Sequence, residues 1–176
     1  MKVFAFDTET TGLIENMTIK EDKLPEIIEF FGCYVDLSSG QVEDEIEFLI
    51  KPKGSLNLQE TKLVITEEML ADKAPFAAHA EMIKGFIEAA PIVIGHNVSF
   101  DKEMVDVEMK RIGMSVKWPR SLCTVEQTAY MKGFRLSLTN LHQLLFETTF
   151  VDAHRAKADT MATVRCACEL YKRGLL

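Results

Sequence analysis

Long apolar runs are missing from this 176-residue sequence. No stretch approaches the roughly 20 residues that span a bilayer. An acidic residue arrives at Asp7, too early for a secretory leader. The expectation is a cytoplasmic protein with no membrane segment. Cysteine is scarce: Cys33, Cys123, Cys166 and Cys168 show no Cys-x-x-Cys spacing, and the last pair lies two apart in a predicted helix, pointing in different directions. A zinc site or a disulfide framework is therefore not expected, and the four read as reduced thiols in small core positions. Glycine and proline number 9 and 5. No segment rich in Gly, Pro or Ser divides the chain, and no internal repeat is present. At 47% hydrophobic and 27% charged residues, the composition is that of one globular domain, residues 1–176, with a sizeable core.

Positive charge is also in short supply. The sequence holds 20 Lys and Arg against 27 Asp and Glu, a net charge of −7. The imbalance is local: residues 1–50 carry 12 acids and 3 bases, whereas residues 110–135 carry six bases (Lys110, Arg111, Lys117, Arg120, Lys132, Arg135) and one acid, Glu126. The second stretch reads either as a phosphate-facing patch or as a solvated face.

What is present begins with a strand. Val3-Phe4-Ala5-Phe6 is an apolar run that reads as buried on both faces. It leads into Asp7-Thr8-Glu9-Thr10-Thr11-Gly12-Leu13. Residues two apart on a strand share a face, so Asp7 and Glu9 aim two carboxylates at one spot. An ionised group at the end of a buried strand loses water and needs a partner; a divalent cation is the simplest. Acid-x-acid spacing recurs at Glu43/Glu45, Glu45/Glu47, Asp101/Glu103 and Asp106/Glu108, where solvated faces are the plainer reading.

A loop is expected over 14–25 and a second strand over 26–36. A turn at 36–40 leads to a half-buried strand in which Val42, Ile46, Phe48 and Ile50 interleave with glutamates. Thr66 would cap a short helix. A helix is expected over 75–90, stopped by Pro91, then a strand at Ile92–Gly95. Ser99 would cap a helix reaching about Ile112. A last strand at 121–125 and helices at 125–132, 138–146 and 155–173 complete the chain, with Ser137 or Thr139 starting the second and Gly174 ending the third. A hairpin followed by strand–helix alternation predicts an α/β layered sheet, mixed parallel and antiparallel, with helices alongside. Ligands in such sheets sit beyond the carboxyl ends of the strands, where Asp7 and the segment after Gly95 both fall.

That segment, Gly95-His96-Asn97-Val98-Ser99-Phe100-Asp101, places Asp101 in the first turn of a helix, where the dipole favours a carboxylate. Asp101 reads as a helix-start residue or a ligand. His96 and Asn97 read as turn residues or as groups reaching a phosphate, and Phe100 as core or as a base-stacking ring. A third piece, Ala153-His154-Arg155-Ala156-Lys157-Ala158-Asp159, opens the last helix. At about 100° per residue, His154 and Asp159 lie roughly 140° apart on a regular helix. They flank one site if His154 sits on the loop before it, which suits Asp159 as a ligand and His154 as a mobile base.

Asp7-x-Glu9, His96-Asn97-x-x-Phe100-Asp101 and His154-x-x-x-x-Asp159, in that order, resemble the DEDD superfamily of 3′–5′ exonucleases. The last motif matches its histidine subgroup (DEDDh), which includes the proofreading epsilon subunit of bacterial replicative polymerase, ribonuclease T and oligoribonuclease. Arg155 stands where the sibling subgroup has tyrosine. The resemblance covers Val3 to about Tyr171, including Ile27-Ile28-Glu29 and Ile65-Thr66-Glu67-Glu68-Met69-Leu70. It implies a ribonuclease H-like fold and a single exonuclease domain. It implies hydrolysis of 3′-terminal phosphodiester bonds to nucleoside 5′-monophosphates with two divalent cations, Mg²⁺ or Mn²⁺, about 3.5–4 Å apart. By the same resemblance Asp7 bridges both ions, Glu9 and Asp159 hold the first, Asp101 supports the second, and His154 takes the proton of the attacking water. Thr8, Thr10, Thr11 and Leu13 resemble the segment that grips the terminal nucleotide, with His96, Asn97 and Phe100 also at the substrate.

The expected partner is single-stranded nucleic acid, DNA in preference to RNA. An exoribonuclease of the same family and a non-catalytic nucleic-acid-binding or polymerase-accessory module are the alternatives. The sequence stops at Leu176, soon after the last helix, where the epsilon subunit continues into a polymerase-docking tail. A stand-alone nuclease is therefore expected rather than a stable polymerase subunit. Trp118-Pro119, beside Lys117 and Arg120, reads as core or as a contact to substrate or a partner.

Overall fold

The computed structural model describes residues 1–13, 24–54, 56 and 64–176. Most of the loop expected at 14–25 lies outside the described residues. Strand β1 (Lys2–Thr10) is the middle of a five-stranded sheet of order β3-β2-β1-β4-β5. β2 (Ile27–Asp36) pairs antiparallel with β1, and β3 (Gln41–Leu49) antiparallel with β2. On the other side, β4 (Ile92–Gly95) and β5 (Arg120–Cys123) run parallel to β1. The mixed sheet expected from the sequence is thus the one observed.

The central strand divides two cores. Phe4 and Phe6 pack with α2 (Ala80–Ala89) and α3 (Val98–Arg111) through Ile83, Ile87, Met104, Val105 and Met109. Val3 and Ala5 point the other way, to Ala156, Val164, Ala167 and Cys168 of α6 (Ala156–Lys172). Alternate residues of one strand therefore meet different helices, the period-2 consequence of a strand buried on both faces. The remaining helices are α1 (Glu67–Leu70), α4 (Thr124–Lys132) and α5 (Leu138–Phe146). Among the described residues no helix is long and apolar enough to cross a membrane.

Three local expectations are corrected. The helix expected over 75–90 is a single 3₁₀ turn, Phe76–Ala78, followed by α2, with His79 between them. The cap of α3 is Asn97, in the left-handed region with φ 69°, and Ser99 lies inside the first turn. Asparagine tolerates that conformation. In β3, the pairing skips Glu43, as Tyr34 faces Asp44 and Val35 faces Val42. This bulge sends Val42 to the α6 side while Ile46 and Phe48 stay on the α2 side, so the alternation does not define one wet face.

Candidate metal centre

The odd residues of β1 that meet α6 are Val3, Ala5, Asp7 and Glu9. As the strand passes the apolar core, that face becomes carboxylate. Asp159, in the first turn of α6, comes to the same place. Asp7, Glu9 and Asp159 each present one oxygen within 4.8 Å of the other two.

Asp101 reaches the cluster from the opposite layer. It is buried at the start of α3 and its Oδ1 accepts from the backbone N–H of Thr8 at 3.0 Å and from the Thr8 hydroxyl at 2.8 Å. Thr8 lies between Asp7 and Glu9 but faces the α3 side, so one strand residue fixes the fourth acid.

The carboxylates feel one another. Burial pushes the Asp7 carboxyl well above the usual range, with Asp101, Asp159, Glu9 and Glu29 adding repulsion in that order. Burial, then Asp159, Glu29 and Asp101, raise Glu9 to about 8. Asp101 is also pushed up by burial, against the lowering effect of the Thr8 bonds. Burial raises Asp159, opposed by a bond from the His154 amide. Four acids that resist ionisation side by side form a site that gains from positive charge.

Sequence reasoning missed the support behind them. Glu29 is fully buried, opposite Glu9 on β2. Its carboxylate accepts a chelating pair from Arg155, Nη2 at 2.7 Å and Nε at 3.0 Å, and the Ala156 N–H at 2.8 Å. This fixes the first turn of α6 against the sheet. The signal was a lone acid inside the apolar run Ile27 to Tyr34, where a charge must have a partner. His154 is exposed on the loop before α6, as expected, with its N–H donating to Asp159 Oδ2 at 3.1 Å. Glu147, Asp152 and His154 all have positive φ, 59°, 59° and 70°. Three such non-glycine residues make this a strained loop. His142 holds it: Nδ1–H donates to Thr148 O at 2.7 Å and Nε2 accepts from Arg165 at 3.3 Å.

The expected substrate residues separate. Leu13 is exposed, and Phe100 is partly buried against the α3-side core. Thr10 Oγ1 donates to Gly12 O at 2.7 Å, while Thr11 Oγ1 accepts from the Glu26 N–H at 3.0 Å. These hydroxyls shape the turn after β1. Of the two readings of His96, turn residue or phosphate contact, the geometry favours the first, with both ring nitrogens engaged inside the protein. Its Nε2–H donates to Leu136 O at 3.1 Å and its Nδ1 accepts from the Thr124 hydroxyl at 2.9 Å. Burial lowers its pKa to about 4, so it stays neutral. Asn97 Oδ1 accepts from Arg135 at 2.8 Å. Trp118 stacks on Phe6 and donates to Asp106, a packing role.

The sequence matches the exonuclease (RNase T) family over residues 4–167. It is similar to the DNA polymerase III subunit epsilon of Haemophilus influenzae, 32% identical over 126 residues, covering 71% of this chain and 47% of that protein. The fold matches exonuclease I at 20% identity with a TM-score of 0.79, over 99% of this chain and 42% of that one. It also matches the nuclease domain of 3′hExo, a DEDDh family member bound to rAMP, at 13% identity with a TM-score of 0.75, covering 99% of this chain and 93% of that one. The sheet and helices are those of ribonuclease H-like exonucleases. The chain spans from 8% to about half of the length of the curated relatives it matches.

Proposed function

The chain belongs to the exonuclease family typified by ribonuclease T, and from that premise we propose that it is a metal-dependent 3′–5′ exonuclease, one domain over 1–176, acting on single-stranded DNA and releasing nucleoside 5′-monophosphates. The observation that carries this reading is the convergence of Asp7, Glu9 and Asp159 within 4.8 Å, with Asp101 bonded to the intervening Thr8. The donor set is all carboxylate oxygen, which fits the hard cations Mg²⁺ and Mn²⁺. Asp7, Glu9 and Asp159 would hold one ion, and Asp7 with Asp101 a second. When bound, the ions supply positive charge that offsets the carboxylates and polarises the scissile phosphate.

The chain's own work is placement and proton transfer. Thr8 orients Asp101. Glu29 and Arg155 hold the start of α6 and so the position of Asp159. The His154 imidazole, on an exposed and strained loop, accepts the proton of the attacking water through a ring nitrogen. Thr10 ends β1, Thr11 and Leu13 follow it, and the three would frame the 3′ end. A cytoplasmic location is supported by four free, buried thiols. Assembly with a polymerase belongs to the epsilon subunit and is not carried over to this chain.

End-labelled single-stranded, duplex, mismatched and RNA strands, each with Mg²⁺, Mn²⁺ or chelator, test the reading. Shortening from the 3′ end, lost in chelator and fastest on single-stranded DNA, is expected. Faster turnover of the matched RNA assigns the exoribonuclease alternative. Binding without cleavage by the purified protein in either metal contradicts the enzyme.

A further inference from the structure

One surface near the site is used by none of this chemistry. The last turn of α4 and the link to α5 present Tyr130, 90% exposed, and Phe134, 59% exposed, with Lys132 and Arg135 also exposed. Gly133, in the left-handed region with φ 79°, ends α4, and Ser137 caps α5. Large rings so exposed bury little of their apolar area against the protein, and two such rings with two cations within six residues are not a scattered surface.

The segment is anchored to the site. His96 holds Leu136 O and Asn97 holds Arg135. His96 and Asn97 directly follow β4, whose Ile94 is level with Ala5, two residues before Asp7. The ridge therefore stands at the end of the sheet that carries the carboxylates. Its charge is distinct as well: residues 127–146 contain no acid, in a protein with 27 acids, and form the longest acid-free run in the sequence.

We propose that Tyr130, Lys132, Phe134 and Arg135 form the track for the single-stranded polynucleotide upstream of the reacting 3′ end. Rings alternating with cations match a strand that offers base faces and phosphates in alternation, and unpaired bases alone offer their faces for stacking. The cations meet the phosphate charge that the acidic cluster next door repels. The track deepens the nuclease reading and rests on it: the substrate class becomes a single strand several nucleotides long rather than a short end.

The test compares a dinucleotide with a single strand of about twelve nucleotides. In Tyr130→Ala/Phe134→Ala, KM for the long strand rises about 10-fold or more, while dinucleotide kcat and KM stay at wild-type values. Lys132→Glu lowers the salt dependence of long-strand binding, its log–log slope falling by about 1. Fluorescence anisotropy of the labelled long strand in chelator reads the track without cleavage, and the double variant binds more weakly there too. Wild-type behaviour of the double variant on both substrates overturns the track and leaves the nuclease standing. An equal loss on both substrates also overturns it, as does a change from dimer to monomer in sedimentation, which assigns the rings to a second copy. Absence of cleavage by the wild type, with anisotropy still sensitive to the double variant, removes the nuclease reading and keeps the track.

Discussion

The proposed chemistry rests on carboxylates held where carboxylates are uncomfortable. Asp7→Asn removes one of four mutually repelling groups. Thermal melts in chelator should show a Tm equal to or above wild type, while single-turnover cleavage falls by about 10²-fold or more. A large drop in Tm would mean that Asp7 serves the fold. His154→Ala should lower kcat by about 10²-fold or more with Mn²⁺ affinity retained, because its hydrogen bond to Asp159 comes from the backbone amide, which the substitution keeps; equal collapse of both would make the histidine structural. The pH dependence follows from Glu9, raised to about 8 in the folded protein. A carboxyl raised on folding stabilises fully below its unfolded value, near ~4.3, and loses that contribution as pH rises through the folded value. Cation-free protein should therefore lose Tm between about pH 5 and 8, and Mn²⁺ should restore it increasingly toward the alkaline end, since the ion competes with protons. A chelated protein whose Tm climbs over that window contradicts the assignment. At this scale Asp7 and Glu9 were legible because strand period fixes their shared face. Glu29 was not, since its role depends on Arg155, 126 residues away, which no local pattern reveals. His96 read as a candidate phosphate contact because its partners, Thr124 and Leu136, are likewise distant in sequence.

At the scale of elements, two contacts set how α6 and β1 meet the site. Glu29 is the floor under α6. Glu29→Gln breaks the chelate to Arg155 and leaves a partly buried guanidinium without its counter-ion, a loss of about 3 kcal/mol by chemical denaturation, with kcat falling as Asp159 and His154 loosen. Unchanged stability would show that α6 is held by its apolar face alone. Gly32 is the second. A Cβ there would lie 2.2 Å from Phe4 Cζ, so Gly32→Ala must displace a ring at the centre of the α2-side core, destabilising by about 1–3 kcal/mol. The elements themselves were readable from periodicity and turn residues. Boundaries failed where geometry is set by tertiary packing. His79 interrupts the helical pattern of 75–90 while its ring stacks on Phe48, and Asn97 takes the cap from Ser99. The bulge at Glu43 was invisible because a run of alternating glutamates looks the same with or without one extra residue.

Across the whole molecule, a mixed sheet with helices on both faces lets one strand gather groups from two layers. β1 sends Asp7 and Glu9 to meet Asp159 on the α6 side and sends Thr8 to meet Asp101 on the α3 side. Acids concentrate in the first 50 residues, whereas residues 127–146, after Glu126 in α4, contain none. A negatively charged protein can thus act on a negatively charged strand once cations stand between them. The central claim is that this gathering holds divalent cations. A crystal soaked in Mn²⁺, measured for anomalous scattering, tests it most directly. The account predicts density peaks bounded by Asp7, Glu9 and Asp159, absent from Asp7→Asn crystals. Manganese elsewhere on the protein, with none among these oxygens, would contradict it.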